Sequence, residues 1–143
     1  MKFSPDGRFI ATADRDFKIR VTLFPKNPLR GAHEIQSFCL GHTEFVSCIA
    51  FTCLHKVRAF FYLEAVIQLW VRLWDYINGC ILDTCQIQDK VGELLEPNET
   101  EDSNLAIADI CPTNDGSLVA VAIQSLNGVM LLACDFIAKK LSL

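Results

Sequence analysis

Three histidines, seven cysteines and a scatter of carboxylates are the residues of this chain from which chemistry could be built. A metal site needs several such ligands at short, regular spacing, yet His33, His42 and His55 form no HxxxH pair. Cys39, Cys48, Cys53, Cys80, Cys85, Cys111 and Cys134 contain no CxxC pair. Cys80 and Cys85 share a presumed outer strand but stand four residues apart. Asp14 and Asp16 are the nearest approach to a catalytic carboxylate pair, and a polar turn between strands accounts for them. No GxGxxG or P-loop sequence cradles a nucleotide. The expectation is a protein with no catalytic residue, no metal and no cofactor, which acts by presenting surface.

The elements that present that surface must come from 143 residues, enough for one domain. Hydrophobic residues make up 51% and charged residues 21%, which argues against disorder. The net charge of −4 is too acidic for binding nucleic acid chiefly by phosphate neutralisation. Residues 1–72 carry ten basic and six acidic side chains, whereas 73–143 carry three and eleven, so an anionic partner would meet the N-terminal half. The odd cysteine count and apolar neighbours suggest small buried hydrophobes in a reducing compartment. Residues 1–8 open on a polar turn rather than a secretory signal, which suggests an intracellular protein. The apolar run from Val57 to Trp74 contains Arg58, Glu64, Gln68 and Arg72, charges and polarity costly at mid-bilayer.

Strand and turn signals alternate along the chain. Ser4-Pro5-Asp6-Gly7 is a turn, Arg8–Ala13 a strand, Asp14–Phe17 a turn and Lys18–Phe24 a strand. Pro25, Pro28 and Gly31 mark a surface loop. Gln36–Leu40 and Phe45–Phe51 flank a turn at Gly41–Glu44, and the pattern returns at Leu105–Cys111, Ser117–Ile123 and Val129–Phe136, with Asn127-Gly128 suited to a tight hairpin. Glu93–Asp102 holds five acids and no base and suggests a solvated loop.

Gly41-His42 before one strand and Arg72-Leu73-Trp74-Asp75 closing another resemble the Gly-His and Trp-Asp landmarks of WD repeats, whose units of about 40–45 residues each form a four-stranded propeller blade. The blocks Phe9–Val21 and Ser37–Ser47 resemble the non-catalytic WD-repeat subunits of the tRNA guanine-N7 methyltransferase heterodimer. The resemblance implies an all-β fold: a partial β-propeller of about three blades, unclosed, since this family resembles seven. Its parts would be a blade remnant at 1–40, a disrupted blade at 41–87, an acidic loop at 88–104 and a partial blade at 105–143. His42, Trp74 and Asp75 would belong to a buried hydrogen-bonded network that holds a blade together. Lys18 and Arg72 would align with basic side chains on the edge facing the catalytic subunit. That subunit would be the partner, with tRNA met only indirectly or weakly, no membrane, no small-molecule substrate, and a nuclear location.

One stretch departs from the family. Thr52–Trp74 has no Gly, Pro, Asn or Asp, so a tight hairpin has nothing to turn on and His42 lacks its turn aspartate. Phe60, Leu63, Ile67 and Trp70 fall at helical spacing, leaving an irregular or helical segment near 54–70 open beside a long strand or the family's hairpin. Such a stretch would be foreign to the family. Two other functions stay open at this level: a generic WD-repeat scaffold, such as a ubiquitin-ligase adaptor, and a non-functional truncated fragment.

Overall fold

A computed structural model describes residues 1–31, 34–41, 45–53, 60–66, 69–94, 105–124 and 126–143, with the backbone alone described at 53, 60–66 and 94. The strands alternate in burial because each sheet is covered on at least one face. They form three four-stranded antiparallel sheets, each an up-and-down meander in chain order. The first comprises β1 (Lys2–Phe3), β2 (Phe9–Ala13), β3 (Ile19–Leu23) and β4 (Ile35–Cys39). The second comprises β5 (Val46–Cys53), β6 (Phe60–Val66), β7 (Trp70–Asp75) and β8 (Cys80–Gln86). The third comprises β9 (Ile107–Pro112), β10 (Leu118–Ile123), β11 (Val129–Asp135) and β12 (Lys140–Ser142). Strand β5 contacts both β1 and β9, and β8 contacts β12, so the sheets stack side by side as an open arc of three blades.

Two cores cement the arc. Between the first and second sheets, Phe9, Ala11, Ile19, Val21 and Cys39 pack on Ile49, Trp74 and Tyr76. The Tyr76 ring meets Phe9 and Phe51 edge-on, at centroid distances of 5.5 and 5.0 Å. Between the second and third sheets, Val71, Leu73 and Ile87 face Ile110, Val119, Val121 and Leu132. Strand β7 therefore feeds both cores: Val71 and Leu73 point one way and Trp74 the other.

The departing stretch completes the second blade. Strand β6 pairs with β5 and β7 throughout, Leu63 opposite both Ala50 and Leu73. The helical reading fails over 60–66, because two neighbouring strands satisfy the backbone on both sides, whereas a helix this short is marginal alone. Residues 54–59 and 67–68 of the stretch lie outside the described set. The return into β7 is made without glycine: Leu69 takes φ 59, and its carbonyl accepts the Ile87 amide at 2.9 Å. A left-handed residue with a side chain costs about 1–2 kcal/mol, which burial of Leu69 in the core offsets.

A second departure lies at the start of the acidic segment. Gln88–Leu94 form a short helix, α1, rather than loop. Ile87 and Val91, four residues apart, both insert into the core, and the Val91 amide donates to the Ile87 carbonyl at 3.0 Å. Residues 95–104 lie outside the described set. Near the other end of the third sheet, Gly128 has φ 144 while Asn127 keeps negative φ, so that connection is not the mirror-image turn its sequence suggests.

Turns recur between blades. Ser4-Pro5-Asp6-Gly7 and Thr113-Asn114-Asp115-Gly116 close the same way. The hydroxyl of residue one donates to the aspartate at 2.6 Å, and the glycine amide donates to the carbonyl of residue one at 2.9 Å. Asp115 also accepts from the Ser117 hydroxyl and amide, and these bonds, led by the Thr113 hydroxyl, hold its pKa down at about 2. A depressed carboxylate stabilises the fold above its ordinary pKa, and that contribution disappears as pH falls towards 2. Asp115→Asn should therefore lower the melting temperature at pH 7 and leave it nearly unchanged at pH 2.

The turns after β7 and β11 form a second repeat. Asp75 accepts the Ile77 and Asn78 amides at 3.0 and 3.2 Å, and Asp135 accepts those of Ile137 and Ala138, both at 2.9 Å. Gly79 closes the first with φ 69, whereas Lys139 occupies the matching place with φ 55. Lys139→Gly should raise stability by about 0.5–1 kcal/mol in a denaturant titration, the left-handed strain relieved exceeding the extra freedom of the unfolded glycine.

Candidate binding edge

The β2–β3 hairpin builds the candidate site. Asp14, Arg15, Asp16 and Phe17 connect the strands; the Asp14 amide donates to the Lys18 carbonyl at 2.9 Å, and the Asp14 carboxylate takes the Arg15 amide at 2.6 Å. Phe17 adopts φ 58 and meets Phe45, which precedes β5, edge-on at 5.0 Å. The hairpin tip is thus tied to the second sheet. Alternation along β3 buries Ile19 and Val21 and turns Lys18 and Arg20 outwards.

Thr12, Ala13, Asp14, Asp16, Lys18 and Arg20 line a shallow cleft of about 220 Å³. Two cations and two carboxylates share it, and all four charged side chains are exposed. The Arg20 guanidinium lies 5.8 Å from the centroid of the Phe38 ring, a cation–π placement that limits its freedom before any partner arrives. Such a cleft suits a protein surface that offers a carboxylate to the guanidinium fork and a base to the aspartates.

The residues read from sequence divide. Lys18 is exposed in the cleft, and so is Arg20 beside it, which the sequence reading does not single out. The signal for Arg20 was present: Ile19, Arg20 and Val21 alternate, placing the arginine opposite the core pair. Arg72 is not in the cleft. It is half-buried on the side of β7 opposite Val71 and Leu73, paired in register with Glu64 and Thr84. Trp74 is buried between the first and second sheets. Asp75 gives its carboxylate to the following turn and to the Asn78 side-chain amide at 2.7 Å. His42 lies outside the described residues, as do His33 and His55.

The six cysteines whose side chains are described are only partly buried. Cys39 and Cys134 are buried, Cys48 and Cys85 half-buried, Cys80 and Cys111 exposed. The expectation of buried cysteines fails at Cys80 and Cys111, which lie exposed on the edge strands β8 and β9. Burial pushes the Cys134 thiol up to about 11, with Asp135 adding to the shift. Among the described residues no group of three or more His, Cys, Asp or Glu gathers as a metal site. No helix among them is long and apolar enough to cross a membrane.

A larger opening of about 510 Å³ lies where the turns after β1 and β9 meet strand β5, lined by Pro5, Asp6, Phe51, Thr52, Pro112 and Thr113. Among the described residues its one charged wall residue, Asp6, is already bonded to Ser4 and to the Arg8 amide. The hairpin cleft therefore offers the better grip.

The family model described as "tRNA methyltransferase TRM82 WD40 domain" matches residues 2–142. The chain is 36% identical over 139 residues to the cattle (Bos taurus) tRNA (guanine-N(7)-)-methyltransferase non-catalytic subunit WDR4, covering 96% of this chain and 31% of that protein. It is 37% identical over 132 residues to the zebrafish (Danio rerio) subunit of the same name, covering 92% and 29%. With the mosquito (Aedes aegypti) non-catalytic subunit wuho it shares 45% identity over 76 residues, 52% of this chain and 17% of that protein. The chain thus spans about a third of the curated relatives it matches. Three blades in succession, the hairpin at 14–17 and the Trp-Asp closure of the second blade accompany that match, and the chain belongs to the TRM82 WD40 family.

Proposed function

We propose that this chain is a non-catalytic binding module that holds the catalytic subunit of a tRNA guanine-N7 methyltransferase and supports formation of 7-methylguanosine in tRNA. The observation that carries the reading is the exposed charged cleft on the β2–β3 hairpin, in a chain whose relatives are named as non-catalytic subunits of that enzyme. The relatives' names support this reading over a generic scaffold. Lys18 and Arg20 supply the cationic half of the contact, and Asp14 and Asp16 the anionic half. tRNA is met through the partner, in keeping with the net charge of −4. The family resemblance supports a nuclear location.

Co-expression of the tagged chain with the catalytic subunit of its own organism tests the reading. The expected result is a 1:1 complex that survives purification. A chain that folds cooperatively and yet fails to retain the catalytic subunit would overturn it.

A further inference from the structure

Among the described residues three carry a side chain at left-handed φ: Phe17 at 58, Leu69 at 59 and Lys139 at 55. Such a residue is strained, and it persists only where its surroundings over-determine it. Leu69 is held by the core, at 3% exposure. Phe17 is only half-buried, so core burial does not account for it. Its ring instead meets that of Phe45 across the joint to the second sheet, with 5.0 Å between centroids and 65° between planes, the edge-on arrangement that aromatic pairs favour.

Phe45 stands on a fixed mount. It leads into β5, where Val46 packs on the core between the first two sheets and Ile49 is buried in it. Its own side chain is nevertheless 49% exposed, which leaves the hairpin tip as the thing it holds.

The consequence falls on the cleft. Asp16 and Lys18 flank Phe17 in the chain, and both line the cleft. The backbone at Phe17 therefore sets where that carboxylate and that ammonium group stand. Arg20 does not depend on it, because β3 carries it opposite Thr12 on one side and Phe38 on the other. One half of the charged cleft is thus mounted on a sheet, and the other on a turn tied down by a ring pair.

We propose that Phe45 is a positioning residue of this cleft: acting through Phe17, it holds Asp16 and Lys18 in the arrangement that receives the partner, and it touches no partner atom itself. A turn fixed in advance loses less freedom on binding. The proposal rests on the methyltransferase reading for its partner, but the state of the hairpin is observable in the free chain.

The free-chain measurement is amide hydrogen exchange at Asp14, whose N–H donates to the Lys18 carbonyl at 2.9 Å and so reports on the closed turn. Phe45→Ala should speed exchange there about tenfold and leave the Val21 amide, inside the strand, unchanged. Phe45→Tyr keeps the ring and should match the parent. Binding of the catalytic subunit should weaken about tenfold in Phe45→Ala, the scale of ordering one or two side chains. That loss should largely vanish in a Lys18→Ala background and persist in full in an Arg20→Ala background. Phe17→Asn, which tolerates the left-handed conformation but lacks the ring, should reproduce Phe45→Ala and serves in its place should that variant unfold. Unchanged exchange at Asp14 overturns the proposal. Equal losses in the Lys18→Ala and Arg20→Ala backgrounds overturn it in favour of direct contact between Phe45 and the partner. A folded parent that retains no catalytic subunit overturns the methyltransferase reading instead, and exchange at Asp14 still decides whether Phe45 holds the tip.

Discussion

Replacing Gly79 with alanine is expected to lower stability by about 3 kcal/mol, enough to unfold much of the population of a marginal domain. Two costs combine. Gly79 has φ +69, and a side chain there costs about 1–2 kcal/mol. In addition the new Cβ would strike the Phe38 carbonyl oxygen, and lie 3.3 Å from the Phe38 carbonyl carbon and 3.5 Å from the Ser37 Cβ. That backbone cannot withdraw easily, because the Ser37 hydroxyl donates to the Tyr76 carbonyl and β4 is paired to β3 from Cys39 to Ile35. The clash falls on the joint between the first and second sheets. Gly7→Ala is the control, since Gly7 has the same φ of +69 and open space within 4 Å of its would-be Cβ. Urea titration of both variants separates the contributions: Gly7→Ala should lose only the conformational part, and equal losses would show that the close approach contributes nothing.

The double charge reversal Lys18→Glu/Arg20→Glu is expected to abolish retention of the methyltransferase subunit while leaving the fold intact. Truncating one member of a desolvated ion pair costs about 2–5 kcal/mol, and reversal adds repulsion, so binding should fall at least about a hundredfold. Both side chains are exposed in the free chain, so the melting temperature should move by no more than a degree or two. Arg72→Glu provides the contrast. Its half-buried place on the inner side of β7 means that any loss of retention should come with a lower melting temperature. Surface plasmon resonance together with thermal melts distinguishes the two cases. Full retention by the double reversal would remove the hairpin cleft from the interface.

Much of this protein was legible in the order of its residues because the signals were local. Ser4-Pro5-Asp6-Gly7 contains the hydroxyl, carboxylate and glycine that close its turn without outside help. Apolar runs between turn signals, as in Val129–Asp135 and Phe9–Ala13, marked strands. The absence of ligand spacings and phosphate loops excluded the commonest catalytic arrangements before any fold was known, and the Gly-His and Trp-Asp landmarks pointed to the repeat family.

Tertiary structure decided the rest, wherever a local preference competed with distant neighbours. Helical spacing at Phe60 and Leu63 yielded to strand because β5 and β7 stand ready on both sides, and backbone pairing with them outweighs an isolated helical turn. Gln88–Leu94 turned helical because Ile87 and Val91 find a core between the second and third sheets, a core that charge counting over the acidic stretch does not detect. The fate of each strand face was likewise set at long range. Phe9 is buried while Leu118, its counterpart in the repeat, is exposed, and the difference is the presence of a neighbouring sheet. Residue order specifies which side of a strand is apolar; only the stacking of sheets specifies whether that side meets protein or water.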